Sequence, residues 1–249
     1  MAPHRSTPRL AEAPDLFAAA PPETAESATG VAGHRLRLRE RFLAAGPEAL
    51  ADHEMLEIVL FALPRRDTKP LARALLSWFG SFARVIAAPV QDLLTVEGLG
   101  EAGVAALKSV QAAALRLLRA EVIDQPVLSN WDRLMAYLGA ELSRERVEQF
   151  RVLFLDNRNH LLADEPQQRG TVNHTPVYPR EVAKRALELH ATALILVHNH
   201  PSGDPTPSRD DIAMTLQIKA AATALSIVLH DHIVVGNGRW LSFRKEGLL

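Results

Sequence analysis

The sequence predicts a mixed domain of helices and strands, α+β or α/β, over residues 127–249, preceded by a small all-α unit over residues 34–122. Three observations predict this. Between residues 34 and 122 apolar residues recur at helical spacing, interrupted by Gly and Pro, with no alternating strand pattern. After Asp124-Gln125-Pro126 short apolar runs begin to alternate with amphipathic stretches, the signature of strands interleaved with helices. Ahead of His34 the chain is rich in Ala, Pro, Thr and Glu with little periodicity, so residues 1–33 read as a disordered tail.

Each element follows from its local chemistry. Residues 35–45 place Leu36, Leu38 and Phe42 among arginines, a helix with a basic face that Gly46-Pro47 stops. Residues 54–61 form a second apolar helix ending before Pro64, and residues 71–79 a third closed by Gly80. Short helices follow over 81–88 and 90–94. After Val96-Glu97-Gly98-Leu99-Gly100 comes a long helix over 101–121. In the second unit, residues 131–141 set Leu134, Met135 and Leu138 on one helical face. Residues 150–155 are a compact apolar strand ending in an Asp156-Asn157 turn. Leu161, Leu162 and residues 170–172 suggest further strands. Pro179 suits the first position of a helix over 180–190. A buried strand over 193–200, a long helix over 208–225 and a strand over 226–236 complete the reading.

Composition excludes several classes. Net charge is −1, so no global field draws the chain to nucleic acid or to anionic membrane; any DNA contact would be local and weak, through the helical unit. There is no cysteine, which removes disulfides, thiol nucleophiles and cysteine-ligated zinc, while ten histidines leave room for a His and carboxylate metal site. No continuous apolar h-region opens the chain, and the apolar run at 191–197 is too short to span a bilayer. The expected location is the cytoplasm, with no membrane partner.

The chemistry concentrates at Val197-His198-Asn199-His200-Pro201, followed by Ser202-Gly203-Asp204-Pro205-Thr206-Pro207 and Ser208-Arg209-Asp210-Asp211. On a strand, residues i and i+2 share a side, so His198 and His200 project together and Asn199 away. Pro201 ends the strand and the Pro/Gly-rich loop turns the chain. Ser208 is then a helix N-cap, which puts Asp211 at the third helical position, near the two imidazoles. Two His and one carboxylate make a three-ligand zinc site with a fourth position open to water. Ser-x-x-Asp alone would be plain capping; its conjunction with His-x-His-Pro points to metal.

This pattern resembles the JAMM (MPN) signature, His-x-His-Pro, six residues, Ser-x-x-Asp, and more narrowly the bacterial RadC family. The resemblance extends through Phe154-Leu155-Asp156-Asn157, Arg169-Gly170-Thr171, Pro179-Arg180-Glu181-Val182, Asp231-His232 and the closing Glu246-Gly247-Leu248-Leu249. It also covers Gly46-Pro47-Glu48-Ala49-Leu50 and Gly98-Leu99-Gly100, and so spans residues 34–249. It implies a JAMM/MPN fold, a mixed, curved sheet flanked by helices. It also implies a zinc-dependent hydrolase of peptide or isopeptide bonds acting on a protein or peptide substrate. A glutamate before the first strand would act as general base; Glu148 fits best, with Glu181 as the rival. Ser208 would hydrogen-bond the oxyanion of the tetrahedral intermediate.

Other features are weaker signals. His230-Asp231-His232 is a second His-x-His without a following carboxylate loop, read as structural or as supporting a ligand, with Asp231 in the orienting role. His160, His174 and His190 lack ligand spacing. The turn at Gly98-Leu99-Gly100 resembles a helix-hairpin-helix, a motif that points backbone N–H groups at DNA phosphates. Glu97 and Glu101 flank it and Lys108 is the nearby cation, so phosphate binding and simple packing both stay open. A second function class follows from the RadC link to DNA repair, a non-catalytic DNA-associated module. A His-Asn-His nuclease is excluded because its residues spread over a ββα unit, and a zinc deaminase because it needs Cys ligands.

Overall fold

A computed structural model describes residues 30–64, 66–123, 126–169 and 177–249. The helical unit runs α1 (Gly30–Ala45), α2 (Asp52–Val59), α3 (Lys69–Phe79), α4 (Phe82–Ala87), α5 (Val90–Leu94) and α6 (Gly100–Ile123), with 3-10 turns at Pro47–Ala49 and Leu60–Ala62. The first helix starts at Gly30, five residues before the start expected at Arg35. The short helices close on one core of Leu56, Leu60, Leu71, Leu75, Val85, Leu93 and Leu99, into which the first half of α6 inserts Val104 and Leu107. At 24 residues α6 is about 36 Å long, more than this small core can cover. Its far end therefore leaves the first core, and Leu118 and Val122 join the second.

The second unit comprises α7 (Trp131–Leu142), β1 (Gln149–Leu155), β2 (Leu161–Arg169), α8 (Pro179–Glu188), β3 (Ala193–Asn199), α9 (Arg209–Ala224), β4 (Val228–Val235) and β5 (Trp240–Ser242). The strands form one mixed sheet in the order β2-β1-β3-β4-β5, with β3 and β4 parallel and the other neighbours antiparallel. The expected strand reading at Leu161 extends to Arg169 as one strand; residues 170–172 lie outside the described residues, as does His174. The short strand β5 had no sequence expectation.

Alternation sorts each central strand between two layers. Leu153, Leu155, Ala193, Ile195, Val197, Ile233 and Val235 pack under α7 with Leu134 and Leu138. Phe150, Val152, Phe154, Leu194 and Leu196 pack on the other face with Val182 of α8 and Ile218 and Ala222 of α9. Both faces being covered explains why β3 reads as an apolar run up to His198 and β1 as one interrupted by Arg151. The α7 face also buries a polar network: Asp164 accepts from Arg151 Nε at 2.9 Å and from the Tyr137 hydroxyl at 2.5 Å. Burial, with the adjacent Asp164 carboxylate, raises the Tyr137 phenol far above its ordinary range.

One irregularity matters for the site. Leu194 pairs with Leu229 but Ile195 with Asp231, so β4 carries one extra residue, His230. Such a bulge exchanges which side chains face which layer. Past it, His232 shares the α9 face with Leu196 and His198.

Candidate metal centre

His198 is the last α9-facing residue of β3 and is fully buried, while His200 follows directly on the strand end with its N–H on Val235 O at 2.9 Å. The loop folds back so that Ser208 caps α9, accepting from the Asp211 N–H at 3.1 Å. Asp211 Oδ2 in return accepts from the Ser208 N–H at 2.7 Å and the Ser208 hydroxyl at 2.6 Å. This capping box fixes the Asp211 carboxylate against the two imidazoles.

The three expected ligands meet. His198 Nε2 lies 2.9 Å from His200 Nε2, 3.5 Å separates His198 Nε2 from Asp211 Oδ1, and 3.6 Å separates His200 Nε2 from Asp211 Oδ2. Bonds of about 2.0–2.1 Å in a tetrahedral zinc site imply ligand–ligand edges of roughly 3.3–3.5 Å. The two imidazole–carboxylate distances are close to such edges and the imidazole–imidazole distance is shorter, so the donor set suits such an ion once the two rings part by a few tenths of an ångström. His200 Nδ1 faces the Asp204 carbonyl at 2.7 Å, an acceptor only, so Nδ1 carries the proton and neutral His200 turns a bare Nε2 inward. Among the described residues this trio is the group of His, Asp and Glu side chains placed to hold a metal.

Electrostatics agree. Burial pushes the Asp211 carboxyl upward, but the adjacent His198 and His200 imidazoles and the Ser208 hydroxyl outweigh it and hold the group far below the usual carboxylate range. The Asp211 carboxylate is also the largest influence raising the His200 imidazole above its ordinary value, and the charge of Glu148 adds to it.

Glu148 is half-buried, immediately before β1. Phe150 pairs with His198 across β1 and β3, the last pair of that ladder, and Glu148, two residues before Phe150, is close enough for its charge to act on the His200 imidazole. Among the described residues its carboxylate accepts no hydrogen bond. Glu181 instead sits exposed on the first turn of α8, paired with its neighbour Arg180 at 3.2 Å.

Sequence reasoning missed what holds Glu148 in place. Asn199 does point away from the imidazoles, and there it is buried against the chain before β1. Its Oδ1 accepts from the Gln149 N–H at 2.8 Å, and its Nδ2 donates to Val147 O at 3.2 Å and to Glu145 O at 3.4 Å. From the helical unit, Ala83 O accepts from Arg144 at 3.1 Å, and Asp92 pairs with Arg146. The segment carrying Glu148 is thus pinned from both sides.

The Asp231 expectation is corrected. Asp231 lies on the α7 face, where Oδ1 accepts from the N–H groups of His232 (2.8 Å) and Arg244 (3.0 Å) and Oδ2 from the Ser242 hydroxyl, bracing β4 against β5. The residue behind His198 is His232, whose Nε2 is 2.8 Å from His198 Nδ1 and whose Nδ1 is 2.6 Å from Thr215 Oγ1. Complete burial drives the His232 imidazole well below its ordinary value. Thr215 lies four residues after Asp211, a helical spacing that places both on one face. His160 sits by Asp156 at 3.4 Å and His230 by Asn159 at 2.7 Å, neither with the cluster.

At the Gly98-Leu99-Gly100 turn the cation is Arg66, distant in sequence, donating to Gly98 O at 2.7 Å. Lys108 instead donates to Ile86 O and Gln111 within the bundle.

A mixed sheet between helical layers, carrying His-x-His-Pro at the end of a central strand and its carboxylate on the following helix, is the JAB/MPN domain, the JAMM metallohydrolase fold, here preceded by an all-helical domain. Residues 128–248 match the RadC-like JAB domain and residues 33–105 the UPF0758 N-terminal domain. A UPF0758 protein of Rhodobacter capsulatus is 64% identical over 213 residues, spanning 85% of this chain and 100% of the relative. Another, from Ruegeria pomeroyi, is 58% identical over 217 residues, 87% and 97% of the two chains. The chain belongs to this UPF0758 family of RadC-like proteins. No helix among the described residues is long and apolar enough to cross a membrane.

Proposed function

We propose that this protein is a zinc-dependent hydrolase of amide bonds, a metallopeptidase or isopeptidase. The observation that carries the reading is the convergence of His198 Nε2, His200 Nε2 and the Asp211 carboxylate within 2.9–3.6 Å of one another, with the Glu148 charge acting on His200 and no hydrogen bond to its carboxylate among the described residues. His198, His200 and Asp211 would hold the ion. Zinc at such a site supplies Lewis acidity and a water acidified to a pKa of about 7.

The chain's own groups do the rest. Glu148 takes a proton from the attacking water and returns it to the leaving amine, the work of a general base turned general acid. Ser208 stands at the exposed rim, its hydroxyl on Asp211 Oδ2. Rotated toward substrate, that hydroxyl donates to the oxygen on which charge develops. The sequence has no cysteine to compete as a nucleophile.

The deciding experiment is zinc per chain in the purified protein beside Asp211→Ala prepared identically. About one zinc in the wild type and little in the variant supports the reading, and equal metal in both reduces Asp211 to a helix cap. Glu148→Gln should then keep its zinc and lose turnover of peptide or isopeptide substrates. Full activity in that variant removes Glu148 from the mechanism.

A further inference from the structure

We infer that His232 and Thr215 are positioning residues that select the tautomer of His198, directing its bare Nε2 at the metal position; this rests on the zinc reading above. All three side chains are completely buried, so no water supplies or removes a proton along the line.

The direction of each hydrogen bond follows from the terminus. Thr215 Oγ1 is 2.6 Å from the main-chain carbonyl of Asp211, which only accepts, so the hydroxyl proton goes there. Having spent that proton, Thr215 Oγ1 can only accept from His232 Nδ1 at 2.6 Å, and Nδ1 is therefore the protonated nitrogen of His232. His232 Nε2 is then bare: a second proton would make a buried cation whose two N–H groups face a hydroxyl and an imidazole, with no carboxylate on either. It must accept from His198 Nδ1 at 2.8 Å. With Nδ1 committed to His232, neutral His198 keeps its lone pair on Nε2, 2.9 Å from His200 Nε2.

The chain is closed by the metal site's own helix. The carbonyl that orders the protons belongs to Asp211, and Thr215 lies one turn further along α9. The same helix thus delivers the carboxylate ligand through its first turn and sets the imidazole ligand through its second. The bulge at His230 is what aims His232 into this line. His200 reaches the same tautomer by a shorter route, through Asp204 O. The two imidazoles are thereby held with their lone pairs together, an arrangement that repels unless a cation lies between them.

The test uses the full-length chain with Thr215→Val, which keeps the shape and removes the hydroxyl, and Thr215→Ser, which restores it. Zinc affinity is measured by competition with a chromophoric chelator, and imidazole tautomers by nitrogen NMR in the metal-stripped protein. Thr215→Val is expected to lose about 10–100-fold in zinc affinity, with Thr215→Ser recovering most of it. In the NMR spectrum, His198 and His232 should carry Nδ1 protons in the wild type and lose that pattern in Thr215→Val. His232→Gln, whose amide oxygen accepts from His198 and whose NH₂ donates to Thr215, should stay closer to wild type than His232→Leu, and serves if Thr215→Val does not fold. Wild-type tautomers and affinity in Thr215→Val, or equal losses in His232→Gln and His232→Leu, overturn the inference. Failure of the wild type to bind zinc would instead strike the proposed function, and the metal-free tautomers would still decide this point.

Discussion

Replacing Asn199 with Ala should loosen the segment that carries Glu148 while leaving the metal ligands in place. The side chain is 1% exposed and makes three hydrogen bonds to main chain, at 2.8, 3.2 and 3.4 Å. The first is the strongest and leaves the buried Gln149 N–H without a partner when cut. Net hydrogen bonds are worth about 1 kcal/mol each, and a buried orphan donor costs about 1–3 kcal/mol, so the expected loss is about 2–4 kcal/mol. For a domain of this size that corresponds to a thermal midpoint lower by roughly 5–15 °C. Hydrogen exchange should locate the damage, with the Gln149 amide losing more protection than amides at the centre of β3. Zinc content should stay at the wild-type level, because Asn199 projects away from both Nε2 atoms. A midpoint within about 1 °C of wild type, with unchanged exchange at Gln149, would refute the clamp.

Two further outcomes follow from the geometry around the cluster. A Cβ on Gly236 would stand 2.3 Å from Gly203 O and 2.9 Å from its carbonyl carbon. Because backbone cannot swing aside as a side chain can, Gly236→Ala should destabilise by about 1–3 kcal/mol, read by chemical denaturation. It should also weaken zinc binding, by displacing the loop whose Asp204 carbonyl orients His200. Zinc affinity should fall as pH drops from about 8 to about 6. The sign follows from His200: hydrogen bonding to Asp211 raises its imidazole above the ordinary value, so protons compete for Nε2 at higher pH than at a free histidine. Constant affinity across that range, measured by chelator competition, would contradict it.

The comparison of sequence with structure turns on the range of each signal. The all-helical first domain, the strands at Phe150 and Ala193 and the Ser208 cap were legible because they depend on spacing of two to four residues within one segment. The meeting of His198, His200 and Asp211 was legible for the same reason, since a strand, a tight loop and a capped helix determine where the three side chains project. What the sequence could not reveal depended on pairings between distant segments. Asn199 reaches back 50 residues to Gln149, and His198 forward 34 residues to His232. Arg66 arrives at the Gly98 turn from 32 residues away. His230-Asp231-His232 was read as structural or as supporting a ligand through Asp231, and the extra residue at His230 puts His232 behind His198 instead, because a bulge exchanges the two faces of everything beyond it. The convergence of His198, His200 and Asp211 is thus a property of local sequence, and the hydrogen-bonded surroundings of His198 belong to the assembled sheet.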